Sequence, residues 1–296
     1  MLDAYPTVAI APETHFIRLF WLRRDHYGDL TEEANYHQLI ENITALPEFS
    51  EMGLSNSDFS KAAWTIERTY PAMFRLLLEQ FAEKRGAQVV GEKTPNHVLH
   101  IPTLQQFFPT ARFIHLVRDP RAVVNSWQSV PWSTGSIAGN AEMWRYYVSS
   151  GRRSASHPHI PVYTLYYEQL VMAPEENLRS LCDFLDLEFT PAMLAYHQKA
   201  EQLVNVTREP WKANSVTPLN HTALNRWQRE LSQSMVAEIE AVVWFEMRRF
   251  QYEAHTNLVQ LLPTATSTAI QREFKHLLKR INYHTTTMMQ GRDIVK

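Results

Sequence analysis

The sequence predicts an α/β protein in which a parallel sheet is covered by helices on both faces. Short apolar segments typical of buried strands recur along the chain, and amphipathic helical segments separate them. The best-defined strand, Arg112 to Val117, runs directly into Asp119-Pro120, and proline is favoured in the first turn of a helix. Strands that alternate with helices in this way favour parallel pairing.

The first part of the chain provides two strands with helices after each. Thr7 to Ile10 is a short apolar strand that ends before Pro12. Residues 31–84 predict helices, and Gly86 is a suitable stop for the last of them. Val89-Val90 begins the second strand, and a helix is expected from Pro95 to Phe108.

The second part continues the alternation. A helix begins at Asp119, a second covers Met143 to Ser154, and a strand rich in β-forming residues runs from Pro161 to Tyr166. An amphipathic helix is predicted from Pro174 to Leu187, and another from Val236 to Phe250.

The end of the chain is less regular. Residues after Pro191 are predicted to be mostly helical, apart from a loop at 208–220. The stretch from Ile270 to Ile281 is basic and amphipathic, which fits a peripheral helix packed on the body or a segment that binds a membrane or partner.

Composition excludes several classes of protein. Of 296 residues, 45% are hydrophobic and 20% charged, which is ordinary for a globular protein. The net charge of -2 provides no basic field for nucleic acid.

No apolar run approaches the roughly 20 residues of a membrane span, and no signal peptide is evident. The single Cys182 cannot form an internal disulfide, so we expect a cytoplasmic protein; its oligomeric state is left open.

Arg118 and Ser126 outline a phosphate site. Arg118 follows the strand, and Ser126 lies about two turns along the next helix. The start of a helix favours anions, because its free N–H groups and its dipole point at the ligand. Arginine adds a bidentate donor. A structural alternative stays open, in which Arg118 pairs with Asp119 and Ser126 is an ordinary helical serine.

Three motifs resemble the sulfotransferases that use 3′-phosphoadenosine 5′-phosphosulfate (PAPS). The segment from Phe113 to Arg121, FIHLVRDPR, together with Ser126 is similar to their 3′-phosphate motif. Glu92-Lys93-Thr94-Pro95 resembles their Lys-Thr-Pro segment beside the active site. Tyr166-Tyr167-Glu168-Gln169-Leu170, with Pro174-Glu175, resembles a motif whose tyrosine lies near the adenine.

The resemblance covers roughly residues 1–252. It implies a P-loop-NTPase-like parallel sheet flanked by helices, of the sulfotransferase type. We therefore expect a sulfotransferase-like domain at 1–255, followed by a C-terminal helical tail at 256–296. PAPS is the implied sulfuryl donor and no metal is implied.

The resemblance also implies roles for individual residues. Leu2 to Pro6 followed by Pro12 to Phe16 is similar to the tyrosylprotein and carbohydrate branches, in which the glutamate of this segment is the general base. Glu13 takes that role here, His15 is a neighbour that orients the acceptor, and Lys93 stabilises the sulfuryl group. Arg118 and Ser126 bind the 3′-phosphate, and Tyr167 lies at the adenine. In the structural alternatives, Glu13 caps a turn and Lys93 is a surface lysine.

One family motif is missing from the sequence. The family holds the 5′-phosphosulfate in a Pro-Arg/Lys-Ser-Gly-Thr-Thr loop, and none of the eight glycines here has that context. In the family the loop precedes the segment that begins here at Leu2, so we expect Met1 to be an internal methionine near the end of the helix after the loop. Without that N-terminal strand and loop, we expect unpaired neighbouring strands, exposed apolar surface and weak PAPS binding.

The acceptor and the alternatives stay open. Alignment through Pro218-Leu219-Asn220 puts Trp211 and Thr217 where the tyrosylprotein branch has a catalytic serine and lysine, and Lys212 or Ser215 are possible substitutes. The predicted acceptor is a hydroxyl of a small molecule, carbohydrate, lipid or peptide. A non-catalytic sulfotransferase-like binding module is the alternative function. A P-loop kinase is disfavoured because the sequence has no Walker loop.

Overall fold

The computed structural model of the chain describes residues 1–200, 211 and 216–256. The described residues form four short strands, which are β1 (Val8–Ala11), β2 (Val89–Glu92), β3 (Phe113–Val117) and β4 (Val162–Tyr166). Each of the four overlaps a strand predicted from the sequence.

Helices separate the strands and follow the last one. In chain order they are α1 (Phe16–Leu19), α2 (Arg24–Tyr27), α3 (Glu33–Thr44), α4 (Pro47–Glu51), α5 (Asn56–Ala63), α6 (Tyr70–Lys84), α7 (Ile101–Phe107), α8 (Pro120–Trp127), α9 (Ile137–Ala155), α10 (Tyr167–Met172), α11 (Pro174–Leu185), α12 (His197–Ala200), α13 (Trp227–Glu230) and α14 (Gln233–Arg249). The α/β class is therefore confirmed.

The described strands are hydrogen-bonded in two pairs. Hydrogen bonds join β1 to β2 and β3 to β4, so the described strands form two separate two-stranded sheets. β1 and β2 are parallel, as predicted. Val89 on β2 is 46% exposed and Leu116 on β3 is 53% exposed.

The chain divides into two compact units, and the division falls within β3 and β4. The first unit comprises Met1–Phe113, His157–Tyr163 and Pro174–Pro218, and the second comprises Ile114–Ser156, Thr164–Ala173 and Leu219–Lys296. The prediction of one domain at 1–255 followed by a helical tail stays a prediction. Residues 257–296, which include the basic amphipathic stretch, lie outside the described residues.

The core of the first unit is aromatic. Phe16 of α1 stacks on Phe74 of α6 with ring centroids 4.3 Å apart, and both side chains are almost fully buried. The sequence defines α6 well, because the Thr69 side chain accepts a hydrogen bond from the Ala72 N–H and Pro71 stands in the first turn. Gly86, at φ +62°, follows its end as predicted.

The core of the second unit lies between α9 and α14. Val148 of α9 and Val243 of α14 belong to one buried apolar cluster. The helix α9 begins before its predicted start at Met143, because the Ser136 side chain accepts a hydrogen bond from the Gly139 N–H and so caps the helix at Ile137.

A buried histidine on β3 packs against a glycine on α9. A side chain at Gly151 would collide with the His115 imidazole, so glycine is needed there for close approach of strand and helix. The His115 ring is also 6.1 Å from that of Phe250. Burial lowers the pKa of His115 to about 4, and the imidazole is neutral in the folded protein at neutral pH.

The buried His115 should make the stability of the protein pH-dependent. Because its pKa is lower in the folded state, the unfolded chain binds the proton first as the pH falls. We expect the free energy of unfolding to decrease by about 3 kcal/mol between pH 6.5 and pH 4 from this group. Urea denaturation across that range should yield a flatter pH profile for His115→Asn than for the wild type. His157→Asn, at an exposed position, is the control; equal slopes for His115→Asn and the wild type would contradict the assignment.

Candidate active site

The parallel pairing of β1 and β2 brings two predicted site segments to the same edge of the sheet. Ala11 at the end of β1 is in register with Glu92 at the end of β2. The chain therefore leaves both strands at the same level, and Glu13 and Lys93 follow directly. Carboxyl ends of parallel strands are where α/β proteins build their sites.

Glu92 links the two segments. One oxygen of its buried carboxylate, Oε1, accepts hydrogen bonds from the N–H and the hydroxyl of Thr14, both at 2.9 Å, and from the hydroxyl of Thr94. Thr94 in turn lies 3.3 Å from the His15 N–H, which donates to its hydroxyl. The residues next to Glu13 and Lys93 are thus fixed by one carboxylate.

A histidine lies against the same carboxylate. His97 Nδ1 lies 2.7 Å from the other Glu92 oxygen, Oε2, and both side chains are largely buried. Burial by itself raises the pKa of Glu92, but the hydrogen bonds and charge of His97 and the bonds from Thr94 and Thr14 lower it by more. Glu92 is therefore ionised at neutral pH. Sequence analysis did not identify Glu92 or His97 as site residues.

Glu13, Lys93 and His15 lie together. The Glu13 carboxylate forms an ion pair with the Lys93 ammonium group, and its second oxygen lies 3.9 Å from His15 Nε2. His15 has φ 51°, in the left-handed region, at the point where the chain enters α1. Burial, followed by the nearby charge of Arg18, lowers the pKa of His15, so its imidazole is neutral at neutral pH. The group contains a carboxylate, a cation and a neutral imidazole.

In the second unit, Arg118 and Tyr167 are in contact. The Arg118 guanidinium lies 4.5 Å from the centre of the Tyr167 ring, and its NH2 group donates a 3.0 Å hydrogen bond to the carbonyl oxygen of Ala223. Its Nε is buried and has no hydrogen-bond partner among the described residues. Ser126 is half-buried on the second turn of α8, which begins at Pro120. The strand, turn and helix around Arg118 therefore have the predicted arrangement.

Asp119 pairs with Arg121 and not with Arg118. The Asp119 carboxylate accepts bonds from Arg121 Nε at 3.0 Å and NH2 at 2.6 Å, and it also caps α8. Arg121 reaches Glu240 at 2.8 Å and stacks on Trp227 at 4.2 Å. Glu240 is fully buried. The carboxylate next to Arg118 in the chain is therefore paired with Arg121.

The loop that the tyrosylprotein branch uses in catalysis is only partly described. Trp211 is 37% exposed, and the Thr217 carbonyl oxygen accepts a 2.7 Å bond from the Tyr196 hydroxyl. Lys212 and Ser215 lie outside the described residues. Within residues 1–200 and 216–256, no cluster of His, Cys, Asp and Glu is arranged to hold a metal. Of the helices described in the structure, none is long and apolar enough to cross a membrane.

Removal of the Glu92 carboxylate should destabilise the first unit. Glu92→Ala leaves the donors of Thr14 and Thr94 and the imidazole of His97 without their buried acceptor, at a cost of about 3–5 kcal/mol in the free energy of unfolding. Glu92→Gln keeps an acceptor oxygen, so it should cost less. Chemical denaturation measures both, with the exposed Glu83→Ala on α6 as the control. A cost for Glu92→Ala no larger than for Glu83→Ala would contradict the linking role.

Comparison with known proteins gives consistent matches. Residues 1–191 match the model of the sulfotransferase family. Protein-tyrosine sulfotransferase 1 of Danio rerio is 25% identical over 268 residues, 87% of this chain and 68% of that protein. Protein-tyrosine sulfotransferase A of Caenorhabditis elegans is 28% identical over 274 residues, 87% of this chain and 64% of that protein. Two further Caenorhabditis relatives are 27% identical over 159 residues, and these matches span only 57% and 61% of their lengths.

Solved structures have the same fold at low sequence identity. The sulfotransferase domain of the Synechococcus PCC 7002 olefin synthase superposes with a TM-score of 0.60 at 18% identity, covering 85% of this chain and 88% of that domain. The sulfotransferase domain from the curacin biosynthetic pathway gives 0.56 at 17% identity, with 85% and 91% covered. Because the family model matches well over half of the residues and the fold agrees, the chain belongs to the sulfotransferase family.

Proposed function

We propose that the protein transfers a sulfuryl group from PAPS to a hydroxyl group of an acceptor. The observation that carries this proposal is the Glu13 carboxylate paired with the Lys93 ammonium group at the end of two parallel strands. In the reaction the acceptor oxygen forms a bond to sulfur, and the bond from sulfur to the phosphate oxygen breaks. The acceptor proton goes to Glu13, and 3′-phosphoadenosine 5′-phosphate leaves.

Glu13 has the properties of a general base. It is ion-paired with Lys93, and only 21% of its side chain is exposed, whereas 58% of the Lys93 side chain is exposed. A base must be ionised and within hydrogen-bonding reach of the proton it accepts. The neighbouring His15 is neutral, so it can exchange hydrogen bonds with an acceptor hydroxyl without repelling Lys93.

Lys93 is proposed to stabilise the charge on the transferring group. Sulfuryl transfer, like phosphoryl transfer, depends mainly on positioning and on stabilisation of charge. The ammonium group is held by Glu13 and is otherwise solvent-exposed. The sulfuryl oxygens of a bound donor would compete for it, which would leave the Glu13 carboxylate ready to accept a proton.

In the second unit, Arg118, Ser126 and Tyr167 are proposed to bind the adenosine 3′-phosphate part of the donor. Support comes from the guanidinium of Arg118, whose buried Nε has no partner among the described residues and whose acidic neighbour is occupied by Arg121. A phosphate would supply acceptors for these donors, and the charge-assisted bonds would be strong. The ring of Tyr167, which carries the Arg118 guanidinium on one face, is proposed to lie beside the adenine.

A tyrosine side chain of a peptide is the proposed acceptor. The names of the relatives favour it. A phenol, with a pKa of about 10, also loses its proton to a carboxylate more readily than an alcohol does. Sugars, lipids and small phenols remain alternative acceptors, since Trp211 and Thr217 stand where that branch uses a serine and a lysine.

Two substitutions should separate binding from turnover. Arg118→Ala should weaken binding of 3′-phosphoadenosine 5′-phosphate about 10- to 100-fold, because charge-assisted bonds are lost. Glu13→Gln should leave that affinity nearly unchanged and lower kcat about 100-fold or more, since it removes the base. Isothermal titration calorimetry and donor consumption measure the two effects.

Arg179→Ala and Glu175→Gln, which alter an exposed ion pair on α11, are the matched controls. Unchanged affinity in Arg118→Ala would refute the phosphate site, and full turnover in Glu13→Gln would refute the base. If the wild type binds the nucleotide but does not consume PAPS with any hydroxyl acceptor, the non-catalytic binding module is the better description.

A further inference from the structure

The peptide group between Arg118 and Asp119 is held on both of its polar atoms by side chains. The carbonyl oxygen of Arg118 accepts a 3.0 Å hydrogen bond from Trp144 Nε1. The N–H of Asp119 donates a 2.9 Å hydrogen bond to Glu168 Oε1. Both partners of this one peptide plane come from outside the turn, Trp144 from α9 and Glu168 from α10. Rotation of the plane would break both bonds.

Trp144 is a rigid donor. Its side chain is 3% exposed and belongs to the core of the second unit, where its ring lies 6.5 Å from that of Phe250. A buried indole N–H needs an acceptor, and here the acceptor is the main chain of Arg118. The position of that carbonyl is therefore set by the packing of α9.

Glu168 is itself anchored. Its second oxygen, Oε2, accepts a 2.9 Å hydrogen bond from the hydroxyl of Tyr252, beyond the end of α14. Burial and the charge of Glu168 raise the pKa of Tyr252, so the phenol keeps its proton and remains a donor. Both oxygens of Glu168 are thus engaged by groups other than Arg118, and the carboxylate fixes the turn without neutralising the guanidinium.

The Asp119 side chain holds the same turn from the other end. It is paired with Arg121, which is paired with the buried Glu240 of α14. Glu240 also accepts bonds from the N–H groups of His255 and Thr256, at 2.9 and 2.8 Å. The main chain on the C-terminal side of Arg118 is consequently tied to α8, α9, α10 and α14 by hydrogen bonds and ion pairs.

We propose that Trp144 and Glu168 are positioning residues for Arg118. By fixing the 118–119 peptide they direct the guanidinium onto the Tyr167 ring, so that it is already oriented for a 3′-phosphate before the nucleotide arrives. This inference rests on the proposed function. Neither residue needs to touch the ligand, and the gain is preorganisation, because a mobile arginine would lose more freedom on binding.

The test compares two nucleotides that differ by one phosphate. Dissociation constants of the full chain are measured for 3′-phosphoadenosine 5′-phosphate and for adenosine 5′-phosphate, which lacks the 3′-phosphate. Trp144→Phe keeps a smaller aromatic ring and removes the N–H donor, and Glu168→Ala removes the acceptor of the Asp119 N–H. Each should reduce the preference for the 3′-phosphate about 5- to 10-fold and leave the affinity for adenosine 5′-phosphate unchanged.

Conservative variants separate positioning from loss of stability. Glu168→Gln keeps an oxygen for the Asp119 N–H and should retain most of the preference. Tyr252→Phe removes the anchor of Glu168 and should lower the preference less than Glu168→Ala does. Glu175→Ala, an exposed carboxylate on α11, is the control. Thermal unfolding followed by circular dichroism identifies any variant that fails to fold. If Trp144→Phe or Glu168→Ala does not fold, the positioning role is tested by the lower 3′-phosphate preference expected of Tyr252→Phe and the retained preference expected of Glu168→Gln.

The outcomes distinguish this inference from the proposed function. If the wild type prefers the 3′-phosphorylated nucleotide and the variants keep the full preference, the positioning role is overturned and the phosphate site is retained. Equal losses of affinity for both nucleotides in a variant would indicate a general structural role of the residue and would also overturn its positioning role. A wild type without any preference overturns the proposed nucleotide site and this inference with it.

Discussion

The parallel pairing of β1 with β2 is the constraint on which the first unit depends. Register between Ala11 and Glu92 makes the two strands end together, so the segments after them are neighbours despite about 80 residues of intervening chain. Glu92 then joins these segments through Thr14 and Thr94. The ion pair of Glu13 with Lys93 follows from this geometry, since each residue stands beside a residue that Glu92 holds.

In the second unit, the acidic side chains beside Arg118 bind other partners. Asp119 is satisfied by Arg121, and Glu168 is satisfied by the Asp119 N–H and the Tyr252 hydroxyl. The carboxylates of Asp119 and Glu168 thus have partners of their own. A buried ion pair or hydrogen-bonded carboxylate contributes little net stability. Among the described residues, no carboxylate pairs with the Arg118 guanidinium, which donates to the Ala223 carbonyl oxygen.

The sequence predicted the fold class and the four strands, because strand periodicity is a local signal, and the resemblance to sulfotransferases assigned Glu13 and Lys93 to one reaction. It did not predict Glu92, Trp144 or Arg121. Their roles depend on partners that tertiary structure brings together, such as Arg118 with Trp144 across 26 positions and Arg121 with Glu240 across 119. The pairing of the described strands in two hydrogen-bonded pairs could not be predicted, since local patterns indicate strands without indicating which ones pair. The cytoplasmic location stays a prediction.

The central claim is that Lys93 stabilises the sulfuryl group in transfer, and turnover of Lys93→Met tests it most directly. The rate of acceptor-dependent conversion of PAPS to 3′-phosphoadenosine 5′-phosphate is measured with a tyrosine-containing peptide, with the exposed Lys61→Met as the control. The account predicts a loss in kcat of about 100- to 1,000-fold for Lys93→Met, little change in KM for PAPS, and wild-type rates for the control. A Lys93→Met protein that turns over as fast as the wild type would contradict it.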